Sequence, residues 1–326
     1  MDYTTLGRAG LKVSVAGLGC GGNSALGLAR GNSEADAIAV VRRALDLGIN
    51  LLDTAKIYGT EVAVGKAIKG RPRDSVVICT KTQAKQGEEA APLAVILADL
   101  DQSLRNLGVE TIDVYQLQGV RTAHYDRLCA EHVPALLKER DKGKFRFLGI
   151  TENLPTDKPH DMATRAAKDT FWDTMMVGYH MLNQRPRQHI FPNTMKNRIG
   201  VLIMYAVRAI FSRPERLRQA IADEVSAGRL PARLAAEAEP LSFLMSEGGA
   251  RSMTDAAYRF VRHEPGCDVT LFGTGDVAHV EANVASILSP PLATPAVQRL
   301  REEFGHLIGV GLDGNGRPAG WDQGRR

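Results

Sequence analysis

The stretches INLLDTAKIYGTE (49–61) and VVICTKT (76–82) each run from a solid apolar block into a polar end. Similar blocks recur along the chain: VAGLG (15–19), IDVYQL (112–117), RFLGI (146–150), TMMVGY (174–179), VLIMY (201–205) and VTLFG (269–273). They are near-continuous in Val, Ile and Leu, as strands covered on both faces should be. Helical segments lie between them. SEADAIAVVRRALDLG opens on Ser33 as an N-cap, carries Ile38, Val41 and Leu45 on one stripe, and stops at Gly48. AAPLAVILADLDQSLRNLG ends at Gly108 in the same manner. Eight βα units with right-handed crossovers close most simply into a (β/α)8 TIM barrel. Tyr3 to Val13, with GRAG at its centre, reads as a β-hairpin plugging the barrel floor.

The whole of 1–326 reads as one such domain, since a barrel routinely uses this much chain. Two stretches break the βα rhythm. Residues 206–251 form a long insertion after the seventh strand, of the kind that carries function or covers a site. The tail from about 308, rich in Gly and charge, is expected to extend or fray.

Composition excludes several classes. Hydrophobic residues make up 44% and charged residues 24%, and the net charge of +4 is scattered without a dense basic run. That argues against a nucleic-acid groove. No apolar run approaches membrane-spanning length, and the N-terminus lacks the apolar core of a secretion signal. Cys20, Cys79, Cys129 and Cys267 have no CxxC spacing and no neighbouring His, which suits reduced thiols in a cytoplasmic protein. His124, His180 and His189 read as loop or packing residues, and no metal is expected.

Barrel active sites gather at the carboxyl ends of the strands. Asp53 closes the second strand, Tyr58 lies five residues into its loop, and Lys81 follows the third. A phenol with an ordinary pKa of about 10 is a poor acid at neutral pH, but an ammonium beside it favours the phenolate. An aspartate can hold that ammonium in place. Each residue alone is more often a solvated charge; the three together suit a proton-donating tyrosine.

The chain here resembles the aldo/keto reductase family, through LGRAGLKVSVAGLGC, ALDLGINLLDTAKIYGTE, VVICTKT, SLRNLGVETIDVYQLQ, GKFRFLGITEN and FGTGDVAHVEANV. The resemblance implies a (β/α)8 barrel and hydride transfer between NADPH and a carbonyl. It makes Tyr58 the general acid, Lys81 its pKa-lowering partner and Asp53 the residue that orients Lys81. The family's catalytic histidine is replaced by Gln118 in DVYQLQ. An amide can donate a hydrogen bond but cannot titrate, so substrate orientation should survive better than proton delivery.

The cofactor contacts follow from the same resemblance. GLGCGG fits G-x-G-x-x-G, but Gly27 and Gly31 interrupt what should be an immediate helix, so the Rossmann reading fails. Gly21 and Gly22 would instead line the cofactor's path. Gly273, Thr274 and Gly275 precede a helix whose backbone N–H groups suit a phosphate, and Asn283 matches an adenine-contacting asparagine. Gly273, Thr274 and His279 stand where family members place a Lys-Ser pair and an Arg, which leaves the choice of NADP(H) over NAD(H) open. Arg208 and Arg213 of the insertion could clamp phosphates. Tyr205 would stack on the nicotinamide, and Thr151 and Glu152 take the place of a Ser-Asn pair that holds its carboxamide. Met176 replaces a carboxamide-binding glutamine.

The expectation is an NAD(P)H-dependent reductase of a small aldehyde or ketone. Its rivals are a reductase of activated C=C bonds and a non-catalytic NADPH-binding homologue. Neither substrate identity nor oligomeric state is encoded readably.

Overall fold

The computed structural model describes residues 1–22 and 24–312. Strands β1 (Tyr3–Leu6) and β2 (Leu11–Ser14) form the antiparallel hairpin. The barrel strands are β3 (Ala16–Gly19), β4 (Leu51–Asp53), β5 (Val77–Gln83), β8 (Ile112–Val120), β9 (Phe145–Glu152), β10 (Thr174–Gly178), β11 (Gly200–Met204) and β12 (Val269–Phe272). A two-stranded ribbon, β6 (Lys85–Gln86) and β7 (Glu89–Ala90), intervenes in the loop after β5. The eight long-range strands pair in parallel, in chain order, and β12 closes onto β3. Each apolar block of the sequence contributes one of them.

Alternation along the strands divides the core in two. Leu52, Ile78 and Tyr115 belong to the outer layer packed against the helices. Leu51, Val77, Cys79 and Val114 face the barrel interior, where they meet Leu6, Leu11 and Val13 of the hairpin. The hairpin is therefore the floor of the barrel. Gly200 makes room for it, because a Cβ there would lie 2.6 Å from Leu6 Cγ.

Local chemistry fixes the helix ends. Ser33 caps the helix Glu34–Asp46 by accepting from the Asp36 N–H, and Asp36 reciprocates in a capping box. Gly108 ends the helix Leu93–Leu107 in the left-handed conformation. The insertion carries helices Ala209–Ser212, Pro214–Ser226, Arg233–Ala236 and Phe243–Ser246, and buries Ile210, Phe211, Leu217, Ile221 and Leu234 in the outer core.

The tail departs from expectation. Val310 and Leu312 are buried, and a Cβ at Gly311 would lie 2.9 Å from Ile210 Cδ1, so residues to 312 pack against the insertion. The rest of the proposed fraying tail, 313–326, lies outside the described residues. The four cysteines are free, with Cys20 and Cys79 buried. No helix of the described residues is long and apolar enough to cross a membrane.

Leu6 is completely buried in the floor. Leu6→Ala should cost about 2–5 kcal/mol by leaving a cavity there, read as a lower urea midpoint at unchanged slope.

Candidate active site

The inward alternation that lays the apolar floor also builds the polar mouth. Two residues beyond Leu51 stands Asp53; two beyond Cys79 stands Lys81; four beyond Val114 stands Gln118. Parallel pairing in register, Asp53 with Cys79 and Lys81 with Gln116, sets these side chains side by side at the carboxyl end.

Lys81 Nζ donates to Asp53 Oδ1 and to the Thr54 carbonyl, both at 2.7 Å. Its side chain has no solvent exposure and that of Asp53 only 6%. Burial alone would lower the Lys81 pKa, but the charges of Asp53 and Tyr58 raise it above the ordinary lysine value. Burial also pushes the Asp53 carboxyl up, against the opposing pull of Lys81. The two directions disagree over how firmly the pair is charged. The short contact and the second acceptor at Thr54 favour the ammonium, and that is the direction that matters for Tyr58.

Tyr58 follows a short 3₁₀ turn, Lys56–Tyr58, that ends on left-handed Gly59. Its ring centroid lies 5.1 Å from Lys81 Nζ, and its hydroxyl accepts from Gln118 Nε2 at 3.0 Å. The phenol is half-buried, open on one side to solvent. Asp53, Tyr58, Lys81 and Gln118 are thus brought together. Among the described residues, Gln118 Oε1 is buried with no partner.

Gly21 lies directly against the Tyr58 ring. A Cβ there would lie 2.4 Å from Tyr58 Cε2 and 2.7 Å from Cζ, so this glycine is the wall on which the phenol rests. Only the three-dimensional structure could show that contact. Gly22, with φ +71°, has open space where a side chain would stand.

Thr151 Oγ1 accepts from the Gly119 N–H at 2.9 Å, which braces the bulge after Gln118. Glu152 does not present its carboxylate to the mouth. Its oxygens accept from the Gly178 N–H at 2.7 Å and pair with His160 Nδ1 at 2.7 Å, both side chains fully buried. Asn183 joins the cluster, donating to the Gly178 carbonyl at 3.1 Å. Both Glu152 oxygens, expected near a nicotinamide carboxamide, are engaged with partners inside the protein. Burial alone would lower the His160 pKa, but the Glu152 charge raises it above the usual 6.5. His180, behind this cluster, is held neutral, its pKa pushed down to about 3 by burial, Arg208 and His160. Met176 is buried in the interior cluster.

Tyr205 directly follows β11 with φ +69°, a rare conformation for a large side chain. The Arg208 guanidinium lies 4.3 Å from its ring centroid. Arg213 is exposed at the start of helix Pro214–Ser226.

Beyond β12, Gly273 is exposed and Gly275 packs backbone to backbone on Gly27. Two of the first N–H groups of the helix Val277–Ile287 are capped from within the chain. Asp276 caps it, accepting from Ala278 N at 2.7 Å and His279 N at 3.4 Å. Thr274 Oγ1 accepts from the Asp276 N–H at 3.1 Å. His279 is exposed and Asn283 half-buried on the same helix. Among the described residues, no group of three His, Cys, Asp or Glu could hold a metal ion.

Two outcomes follow from these contacts. Gly21→Ala should displace the phenol and lower turnover about 100-fold, the cost of misplacing a reacting group by about 1 Å, with an unchanged circular dichroism spectrum. The raised His160 value means its stabilising contribution is complete below about pH 6.5 and is lost as pH climbs through the folded value. Melting temperature should therefore fall between pH 6.5 and that value in the parent chain, and this pH-dependent loss should vanish in His160→Gln.

A sequence profile of the aldo/keto reductase family matches residues 17–302. L-galactose dehydrogenase of Arabidopsis thaliana is 32% identical over 209 residues, covering 62% of this chain and 64% of its own length. Aldo-keto reductase YhdN of Bacillus subtilis is 32% identical over 217 residues, covering 62% of this chain and 61% of its own. The chain thus spans a little under two thirds of the length of these relatives. The solved holo form of aldo-keto reductase AKR11C1 from Bacillus halodurans matches with TM-score 0.67 at 25% identity, over 93% of this chain and 96% of that one. With the profile running from the first barrel strand into the last helix, the chain belongs to the aldo/keto reductase family.

Proposed function

We propose that the chain is an NAD(P)H-dependent reductase of small carbonyl compounds in which Tyr58 is the general acid. The observation that carries this reading is the convergence on one phenol: a buried ammonium 5.1 Å from its ring and an amide donor 3.0 Å from its oxygen. Both neighbours favour negative charge on the oxygen, and so favour release of its proton to a substrate oxygen that gains charge.

Groups at the mouth support binding of the nicotinamide half of a cofactor. Tyr205 supplies an aromatic face, Thr151 a hydroxyl, and half-buried Gly22 and exposed Gly273 backbone without side chains. When bound, the reduced nicotinamide supplies the hydride. The chain's own residues then manage the proton. Tyr58 gives it to the carbonyl oxygen, Lys81 and Gln118 stabilise the phenolate left behind, and the half-exposed phenol recovers a proton from solvent.

Gln118 alters this chemistry in a definite way. It stabilises the phenolate by hydrogen bonding, as an imidazole would, but cannot become a cation. The loss of a charge-assisted contact costs about 2–4 kcal/mol on the scale of a lost oxyanion donor. The name of one relative, L-galactose dehydrogenase, places a sugar hydroxyl or carbonyl among the substrates worth assaying.

Turnover should be followed by nicotinamide absorbance on panels of aldehydes, ketones, enones and sugars, in both directions. Tyr58→Phe should lower carbonyl turnover by about 100- to 10,000-fold, and Gln118→His should raise it. Cofactor binding without turnover on any panel would favour a non-catalytic binder, and turnover confined to enones would favour C=C reduction. An unchanged rate in Tyr58→Phe would remove this tyrosine as the acid.

A further inference from the structure

A second buried pair of titratable side chains lies apart from Lys81 and Asp53. Glu152 and His160 meet at 2.7 Å, and neither side chain has any exposure. The desolvation penalty of such a pair can exceed its attraction. Its placement in the barrel points to a task at the mouth.

The β9–β10 ladder ends at Met176 opposite Thr151, whereas β10 stays paired with β11 as far as Gly178 and Met204. Among the described residues, no residue of β9 is paired with Gly178. Side chains take the place of the missing strand. Glu152 accepts from the Gly178 N–H at 2.7 Å, and Asn183 donates to the Gly178 carbonyl at 3.1 Å. His160 ties the two together. Its Nδ1 meets Glu152, and its Nε2 lies 3.0 and 3.3 Å from the two ends of the Asn183 amide. One imidazole thus braces both clamps of a single glycine.

Against that glycine stands Tyr205. A Cβ at Gly178 would crowd Tyr205 Cδ2 at 3.3 Å, so the ring edge lies close to this backbone. Tyr205 is left-handed at φ +69°, a conformation that persists only where neighbours over-determine it. Gly178 also pairs with Met204, the residue before Tyr205. A shift of Gly178 would therefore move both the ring and the strand end that carries it.

We propose that His160 is a positioning residue for the nicotinamide, holding the Tyr205 face in place through Glu152, Asn183 and Gly178. The inference rests on the reading that the mouth binds a nicotinamide dinucleotide with Tyr205 as its aromatic face. His160 is completely buried, so it acts through these neighbours. The clamp ends at Tyr205, which confines its effect to the nicotinamide half.

The test compares whole dinucleotides with fragments that lack the nicotinamide. NADH and NADPH are titrated by fluorescence, and ADP-ribose and its 2′-phosphate by calorimetry, on the full chain. His160→Gln keeps most of the bulk and loses the double brace. It should weaken the dinucleotides about tenfold and the fragments by less than about twofold, within the range for residues that act on a site through others. Asn183→Ala frees the carbonyl clamp alone and should weaken the dinucleotides about threefold, again sparing the fragments. It keeps the question answerable if the first variant does not fold. Equal weakening of dinucleotide and fragment would mean general loosening and overturns the inference. Unchanged dinucleotide binding in the folded variants overturns it too, and leaves the dinucleotide site intact. Failure of the parent chain to bind either dinucleotide removes the underlying reading, and this inference with it.

Discussion

A lysine with no solvent exposure, bonded to an aspartate with almost none, is expensive to bury. Taking each ion out of water costs several kcal/mol, and removing one partner alone typically destabilises by about 3–5 kcal/mol. Such a pair survives where its remaining hydrogen-bonding capacity is met and where the scaffold does not yield. The barrel supplies both. The Thr54 carbonyl takes a second Lys81 proton, and Asp53 and Lys81 stand on adjacent strands whose ladder is anchored by Thr54 N–H donating to the Cys79 carbonyl at 2.8 Å. The apolar layer beneath, sealed by the hairpin, keeps water from reaching the pair from below. Tyr58 is then located by three independent contacts: the ammonium, the Gln118 amide and the Gly21 backbone.

The parts of this design that a linear reading recovers are those in which neighbours in sequence decide the structure. All eight apolar blocks became barrel strands, because two-sided burial writes itself as continuous Val, Ile and Leu. Ser33 and Gly108 marked helix ends through contacts only a few residues long. What escaped depends on neighbours distant in sequence. Nothing around Gly21 announces that Tyr58 leans on it, and nothing in TE at 151–152 shows that Glu152 turns toward His160 and Gly178. The packed end of the tail is similar: Val310 and Leu312 are two apolar residues in a glycine-rich stretch, and only Ile210 of the insertion gives Gly311 a reason to be there. The Asp276 cap was legible in principle, since an Asp preceding a helix is a local signal.

Gln118 occupies an unusually constrained position. It lies on β8 opposite Gln83, its carbonyl accepts from Ala84 N–H at 2.9 Å, and the bulge at Gly119 follows at once, with φ +67°. Backbone placement is therefore set by strand pairing and by Thr151 gripping Gly119, and owes nothing to the side chain. A site whose geometry is independent of residue 118 can exchange an imidazole for an amide without rebuilding the strand. The chemical consequence of such an exchange falls on proton affinity at one point.

The opposite side of the mouth is held by strain and its compensation. Tyr205 in a left-handed conformation costs of order 1–3 kcal/mol, which persists only where surrounding contacts over-determine it. Gly178 is one such determinant: any side chain there would strike Leu154 at 2.0 Å and crowd Tyr205 at 3.3 Å. Glu152 and Asn183 fix both polar groups of that glycine, and His160, itself left-handed at φ +64°, braces Glu152. Arg208 packs on the ring from the insertion. The buried cluster thus transmits rigidity from β9 and β10 to the aromatic face on β11. This accounts for an acidic residue at position 152: a carboxylate accepts from the N–H and also supplies the negative charge that favours the protonated imidazole, which a neutral amide could not do.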